Sequence, residues 1–337
     1  MALVLHIISF SLSFIAFIAR QGTSISISTV IIIYKLKSRV FSGLFFYKKQ
    51  HIVMDTTHKT RVAIQGAYGA FHEMAALHYF ENDDIEIVPG STFKQVFKNL
   101  KNQDADFGIM AIENMVAGSI IPNYKLLNES NMQVVGEIFL RIELNLVALP
   151  GQTINDITEV HSHPMAILQC QDFFEQHPHI KSVDSGDTAY CARQISKEQQ
   201  KGIGAIASAQ AAKQYGLEII IPGIESNKKN YTRFLILQDK QNGDNGTNKE
   251  VNKSSITFAL AHEIGSLSKV LSLFSFFHIN LSKIQSVPII GRNWEYQFYV
   301  DLEFDDYQKY RQSLESVKPF TSGLEILGEY KRGKSIV

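Results

Sequence analysis

Arg61-Val62-Ala63-Ile64-Gln65 is a short apolar run closed by Gly66 and Gly69, and from Phe71 to Phe80 apolar side chains recur at helical spacing. A buried strand, a glycine turn and a helix in that order open an α/β sheet, and the alternation of strand and helix continues from there. The turn has a chemical consequence. Backbone N–H groups at a helix N-terminus point at whatever lies in front of them, and the helix dipole favours a carboxylate or phosphate there. Gly69, Ala70 and Phe71 are therefore candidate ligand contacts, although a tight turn can require glycine for its geometry alone. Gly66-Ala67-Tyr68-Gly69 lacks the GxG start of the dinucleotide fingerprint, so no nucleotide cofactor is expected.

Further along, polar groups gather where apolar runs stop. The strand-like run 105–112 ends at Glu113-Asn114, just before a loop containing Gly118-Ser119, a position at the ligand edge of an α/β sheet. Asn114 can donate there to a ligand oxygen. His163 immediately precedes a proline-started helix that runs to Gln169-Cys170. His161 and His163 are spaced i, i+2, but no third ligand has recognisable spacing, and no metal is expected. Asp187-Thr188 repeats the pattern of a polar N-cap before an alanine-rich helix. Asn230-Tyr231-Thr232-Arg233-Phe234 sets a hydroxyl beside a guanidinium directly before the apolar run Phe234–Leu237. An arginine fork can grip a carboxylate in two places, and a threonine can give or pass a proton. For the pentapeptide alone, the plainer alternative is an ordinary surface strand start.

At 337 residues the chain has room for two or more domains, and its 33 Lys and Arg against 33 Asp and Glu leave no net field to attract nucleic acid or an anionic membrane. Cys170 and Cys191 lack CxxC spacing and sit in apolar helical surroundings, as expected of free thiols in a reducing, cytoplasmic compartment. Residues 1–53 form an apolar leader with no Asp or Glu before Asp55, and are not expected to join the fold. Arg20, Lys35, Lys37 and Arg39 follow its first apolar run instead of preceding it, which disfavours a secretory signal. An over-extended start with the true beginning at Met54, a membrane anchor and a transit peptide stay open.

Five blocks in order, Gly66–Ala76, Ile112–Ile120, Ser162–Cys170, Asp187–Ala189 and Thr232–Phe234, closely resemble prephenate dehydratases over residues 61–331. The resemblance implies a two-lobed catalytic domain like a periplasmic binding protein, here over residues 54–238, with the substrate prephenate between the lobes and no cofactor. His72, Met115 and Met165 depart from the residues common in these blocks. Prephenate loses a ring carboxylate as carbon dioxide and a ring hydroxyl as water, and aromatisation drives the loss. The catalytic residues implied are Thr232, Arg233, Glu113 and Asn114: Arg233 and the Gly69–Phe71 helix terminus as carboxylate clamps, and Thr232 as donor to the departing hydroxyl, with a relay from Glu113 or His163. Gln169, Thr188 and Phe234 complete the implied substrate contacts. An arogenate dehydratase or a non-catalytic small-acid sensor are the rival readings, and with no helical chorismate mutase pattern ahead of residue 61 the chain reads as monofunctional.

Residues 239–254 are almost devoid of apolar side chains and suit a linker. Beyond them, residues 255–337 follow a β-α-β-β-α-β order, the ferredoxin-like pattern, and are similar to the ACT regulatory domain. Gly265-Ser266-Leu267 resembles the turn where that domain binds an amino acid, and Gln285-Ser286-Val287-Pro288 stands at its second effector motif without the acid and arginine usual there. The resemblance implies phenylalanine as effector, sites at Gly265, Ser266, Leu267, Gln285, Ser286 and Pro288, and a homodimer or homotetramer.

Overall fold

In the computed structural model the described residues are 59–81, 83–242, 250–289, 291 and 295–336, so the leader and the middle of the linker lie outside them. β1 (Thr60–Gln65), α1 (Phe71–Tyr79), β2 (Ile85–Gly90), α2 (Phe93–Lys101) and β3 (Phe107–Asn114) are successive β-α units, with β1 paired in parallel to both β2 and β3. Val62, Ile64, Ile109 and Met110 are fully buried, as expected of central strands covered on both faces. β4 (Gly118–Ser119) folds back on β3 as a short hairpin, and α3 (Ile121–Asn128) leads to β5 (Met132–Arg141).

The chain then crosses to a second lobe. β6 (Asn145–Ala148), β7 (Glu159–Ser162), α4 (Pro164–Leu168), α5 (Gln171–Gln176), β8 (Lys181–Asp184), α6 (Thr188–Glu198), β9 (Ile203–Ala207), α7 (Ala209–Tyr215) and β10 (Glu218–Ile221) make a sheet ordered β10-β6-β9-β7-β8. β11 (Tyr231–Asp239) returns and inserts antiparallel between β5 and β3 of the first sheet. The two lobes are thus joined by two passages of the chain, which leaves a cleft between them. Among the described residues no helix is long and apolar enough to cross a membrane.

The last part follows the expected order: β12 (Lys253–Leu260), α8 (Ser266–Phe276), β13 (Asn280–Pro288), β14 (Tyr296–Glu303), α9 (Tyr307–Val317) and β15 (Ser322–Tyr330), in a sheet ordered β13-β14-β12-β15. β11 and β12 both extend into the stretch 239–254 and shorten the linker expected there. This sheet is seated on the first lobe, not merely tethered to it. A Cβ on Gly328 of β15 would lie 2.0 Å from the Val134 carbonyl oxygen of β5, and β16 (Ser335–Ile336) pairs in parallel with β5. The first sheet therefore has one face toward the cleft and the other under the C-terminal sheet.

Candidate active site

β3 and β11 run antiparallel with Thr232 opposite Asn114 and Arg233 opposite Glu113. Neighbouring residues on a strand point to opposite faces, so the two pairs part company. Thr232 and Asn114 face the cleft, a cavity of about 340 Å³, within the usual range for a small-molecule site. Asn114 Nδ2 donates to Thr232 Oγ1 at 2.9 Å and to Asn230 Oδ1 at 2.7 Å. Asn230 Nδ2 donates on to Gln169 Oε1 at 2.9 Å, and Gln169 Nε2 returns to Asn114 Oδ1 at 3.2 Å. The Val116 and Ala117 N–H groups also donate to Asn114 Oδ1, at 2.9 and 2.8 Å. Asn114 is thereby locked in one orientation. Because Thr232 Oγ1 accepts from Asn114 and, among the described residues, gives its own proton to no protein group, its hydroxyl is free to donate into the cleft.

The glycine turn supplies the opposite wall. Gly66 and Gly69 have φ of +107° and +85°, and a Cβ on Gly69 would sit 2.6 Å from Ala211 Cα in α7, so both the backbone angle and the contact between lobes demand glycine. Ser208 Oγ donates to the Gly69 carbonyl at 2.7 Å, which ties the turn to the second lobe. The N-cap of α1, Ala70, has no capping side chain, which leaves the Phe71 and His72 N–H groups at the cleft end of α1 without an intrahelical partner. α6 also begins at the cleft wall with Thr188; its N-cap Asp187 accepts from the Tyr190 N–H at 3.0 Å. His163 Nδ1 accepts from the Met165 N–H at 3.1 Å, so the proton of the neutral ring is on Nε2.

Ala70, Phe71, Asn114, His163, Gln169, Thr188, Thr232 and Phe234 all line the cleft, with Gly69 behind its wall. Arg233 and Glu113 do not. The expectation that they act on the substrate is corrected by the strand alternation: both project from the outer face of the sheet, toward the C-terminal domain. Arg233 is 5% exposed; its Nε donates to Glu137 Oε2 at 2.7 Å, Nη1 to Asp301, and Nη2 to the Tyr330 hydroxyl at 3.1 Å. Burial alone would lower the guanidinium pKa, but the Asp301, Tyr330 and Glu137 oxygens outweigh it and hold the pKa above its ordinary value. Burial would likewise raise Asp301, yet Arg233, Ser255 and Lys253 keep its carboxyl below the usual range. Glu113 pairs with Lys283 of β13.

With Arg233 removed, no lysine or arginine remains among the described cleft-lining residues, so a bound carboxylate meets helix termini and neutral donors. Sequence reasoning gave no role to Gln65, Phe93 or Asn230 and read Asp187 only as an N-cap, yet all four belong to the site. Asn230 carried a signal, since it stands two residues before Thr232 and a strand sends i and i+2 to one side. His72 is a further lining residue; it packs edge-on against Phe93 and Phe234, its Nε2 is buried without a partner among the described residues, and burial pushes the imidazole down to about 3.

In the C-terminal domain, Gly265 at φ +82° starts α8, and Ser266 and Leu267 line a cavity of about 150 Å³ with Tyr296 and Phe298. Gln285, Ser286 and Pro288 do not line it; they lie on the edge strand β13, with β14 between them and β12. Among the described residues, one chain does not bring the two expected effector segments into one pocket.

Two α/β lobes around a cleft walled by helix termini, with a threonine hydroxyl aimed into it by a locked asparagine, define an enzyme acting on a small organic acid. The sequence profile of the prephenate dehydratase family matches residues 62–242. The chain is 31% identical over 310 residues to a bifunctional chorismate mutase/prephenate dehydratase of Aquifex aeolicus (strain VF5), covering 89% of this chain and 83% of that one. It is 36% identical over 283 residues to arogenate dehydratase/prephenate dehydratase 2, chloroplastic, of Arabidopsis thaliana, covering 81% and 73%. Its fold matches the crystal structure of prephenate dehydratase in complex with L-Phe from Arthrobacter aurescens with a TM-score of 0.73, at 23% identity, over 81% of this chain and 90% of that one. The chain belongs to the prephenate dehydratase family and is a hydro-lyase.

Proposed function

We propose that the cleft converts prephenate to phenylpyruvate, and the observation that carries the reading is the Thr232 hydroxyl, turned toward the cleft by its hydrogen bond from Asn114. The bond from ring carbon to carboxylate breaks, its electron pair enters the ring, and the bond from ring carbon to hydroxyl breaks to release water. One proton is consumed overall. Thr232 is too weak an acid to be its source. Its contribution is a hydrogen bond to the departing oxygen, already oriented before the charge develops. The consumed proton comes from solvent; the neutral His163 ring, whose Nδ1 accepts from the Met165 N–H, contributes its Nε2–H as a second hydrogen bond at the cleft wall, and Glu113 lies on the wrong face to take part. The staying carboxylate is held by the N–H groups that open α1, beside Thr188 and Gln169.

The test is to incubate the purified full chain with prephenate and with arogenate and to follow phenylpyruvate and phenylalanine. Phenylpyruvate from prephenate is expected; the absence of any aromatic product from either substrate rejects the reading. A preference for arogenate would be set by Asp187, the one acidic side chain among the described cleft-lining residues and the group an ammonium would meet.

The same proposal assigns the C-terminal domain to sensing phenylalanine as an ACT domain. Its support is the cavity beside the Gly265 turn, whose Leu267, Tyr296 and Phe298 suit an aromatic side chain. The edge of β13, unpaired among the described residues, suits pairing with a second copy, as a homodimer or homotetramer, which would complete the pocket from across the interface. Cys170 and Cys191 are both buried free thiols, in keeping with a cytoplasmic enzyme.

A further inference from the structure

Lys283 belongs to β13 of the C-terminal sheet, yet its ammonium reaches the catalytic lobe and donates to Glu113 Oε1 and, at 2.7 Å, to Ser119 Oγ. Those two residues are cross-strand partners in the β3–β4 hairpin, and the next pair along is Asn114 and Gly118. One ammonium therefore closes the base of the hairpin 113–119 from the outer face of the sheet. On the inner face the turn of the same hairpin supplies the Val116 and Ala117 N–H groups that fix Asn114 Oδ1, and Asn114 aims the Thr232 hydroxyl. Apart from its two-pair ladder and the Asn114 side chain, the hairpin is held by two backbone hydrogen bonds, from the Met115 N–H to the Tyr231 carbonyl at 2.8 Å and from the Ile120 N–H to the Ile112 carbonyl at 3.0 Å. β4 is two residues long, Gly118 has φ +82° with no atom near its missing Cβ, and Met115 at the tip is 71% exposed. A short, uncovered hairpin frays unless its base is tied.

We infer that Lys283 is a positioning residue for the reaction: through Glu113 and Ser119 it fixes the hairpin that orients Asn114, and through Asn114 the Thr232 hydroxyl. The inference rests on the proposed reading of the cleft as the site of prephenate chemistry. It makes the C-terminal domain a structural part of the active site, not only a sensor beside it. Lys283 also lies two residues from Gln285 on the same strand, so a ligand or partner copy that shifts β13 moves the tie directly.

The experiment compares Lys283→Met and Lys283→Arg with the full-length wild type. Two quantities are read: kcat and KM for prephenate, and solvent exchange of the Asn114 side-chain amide by NMR. Lys283→Met lowers kcat roughly two- to thirtyfold, the range of coupling carried by such contacts, with KM nearly unchanged. It also speeds exchange of the Asn114 amide, and Lys283→Arg, which keeps a cation at the tie, restores both. If Lys283→Met fails to fold, Glu113→Gln, which removes the charge from the other end of the tie, carries the same comparison. Unchanged Asn114 exchange in Lys283→Met overturns the inference, as does an equal loss in Lys283→Arg. A wild type that does not turn over prephenate overturns the reading of the cleft instead, and the exchange measurement still decides the role of Lys283.

Discussion

Replacing Arg233 with methionine separates a substrate clamp from a domain tie. The guanidinium satisfies Glu137, Asp301 and Tyr330 at once from a site with almost no solvent access. Removing one partner of such a buried pair costs about 3–5 kcal/mol, because the charges left behind lose their compensation. Here the lower end applies. Lys253 Nζ remains 2.9 Å from Glu137, and Ser255 still donates to Asp301. A loss of about 3 kcal/mol lowers the melting temperature of a domain this size by roughly 6–12 °C. Thermal unfolding by circular dichroism reads that shift, and prephenate kinetics at a temperature where the variant is folded read the rest. The expected pattern is a lower melting temperature and a lower kcat, the latter through disturbed register beside Thr232, with KM nearly unchanged. If Arg233 instead gripped a substrate carboxylate, losing a charged hydrogen bond of about 1.5–3 kcal/mol would raise KM roughly ten- to hundredfold while leaving the melting temperature alone. That second pattern would refute the placement of Arg233 on the outer face.

Two other substitutions test the inner face. Thr232→Ala is expected to lower kcat by about 10² to 10⁴, the range for a positioned proton donor, while unfolding at nearly the wild-type temperature, since Asn114 keeps Asn230 and Gln169. Turnover near normal would remove Thr232 from the reaction. His72→Gln tests a buried imidazole whose pKa falls from the ordinary 6.5 to about 3. The unfolded chain takes up a proton that the folded ring refuses, so wild-type stability is full above pH 6.5 and declines as pH falls toward 3. By pH 5 that decline is about 2 kcal/mol, and the melting temperature of His72→Gln should gain on the wild type by roughly 4–8 °C between pH 8 and pH 5. A difference that does not change with pH would mean the ring is charged in the folded protein.

Much of this was legible in the residues. The strand, glycine turn and helix around Gly66 and Gly69, the proline-started helix after His163 and the βαββαβ order after residue 253 depend on local periodicity and turn chemistry, which a sequence displays directly. The buried free thiols were legible for the same reason; Cys170 is fully buried and burial pushes its thiol up to about 12. The ring of Asn114, Asn230 and Gln169 was not, because its members are 55 to 116 residues apart and meet only when β3, β11 and the second lobe converge.

Thr232 and Arg233 mark the boundary between the two kinds of knowledge. Sequence alone determined that a hydroxyl and a guanidinium would stand together at the start of an apolar strand, and adjacency there guarantees that they point to opposite faces. Which face would be a cleft and which would be sealed could not be read from either residue. That was decided when a second lobe closed over one side of the sheet and the C-terminal sheet brought Asp301, Tyr330 and Lys283 to the other. The threonine was left facing the space where a substrate fits, and the arginine became an internal counter-ion, because a charge without access to water persists only where other charges surround it.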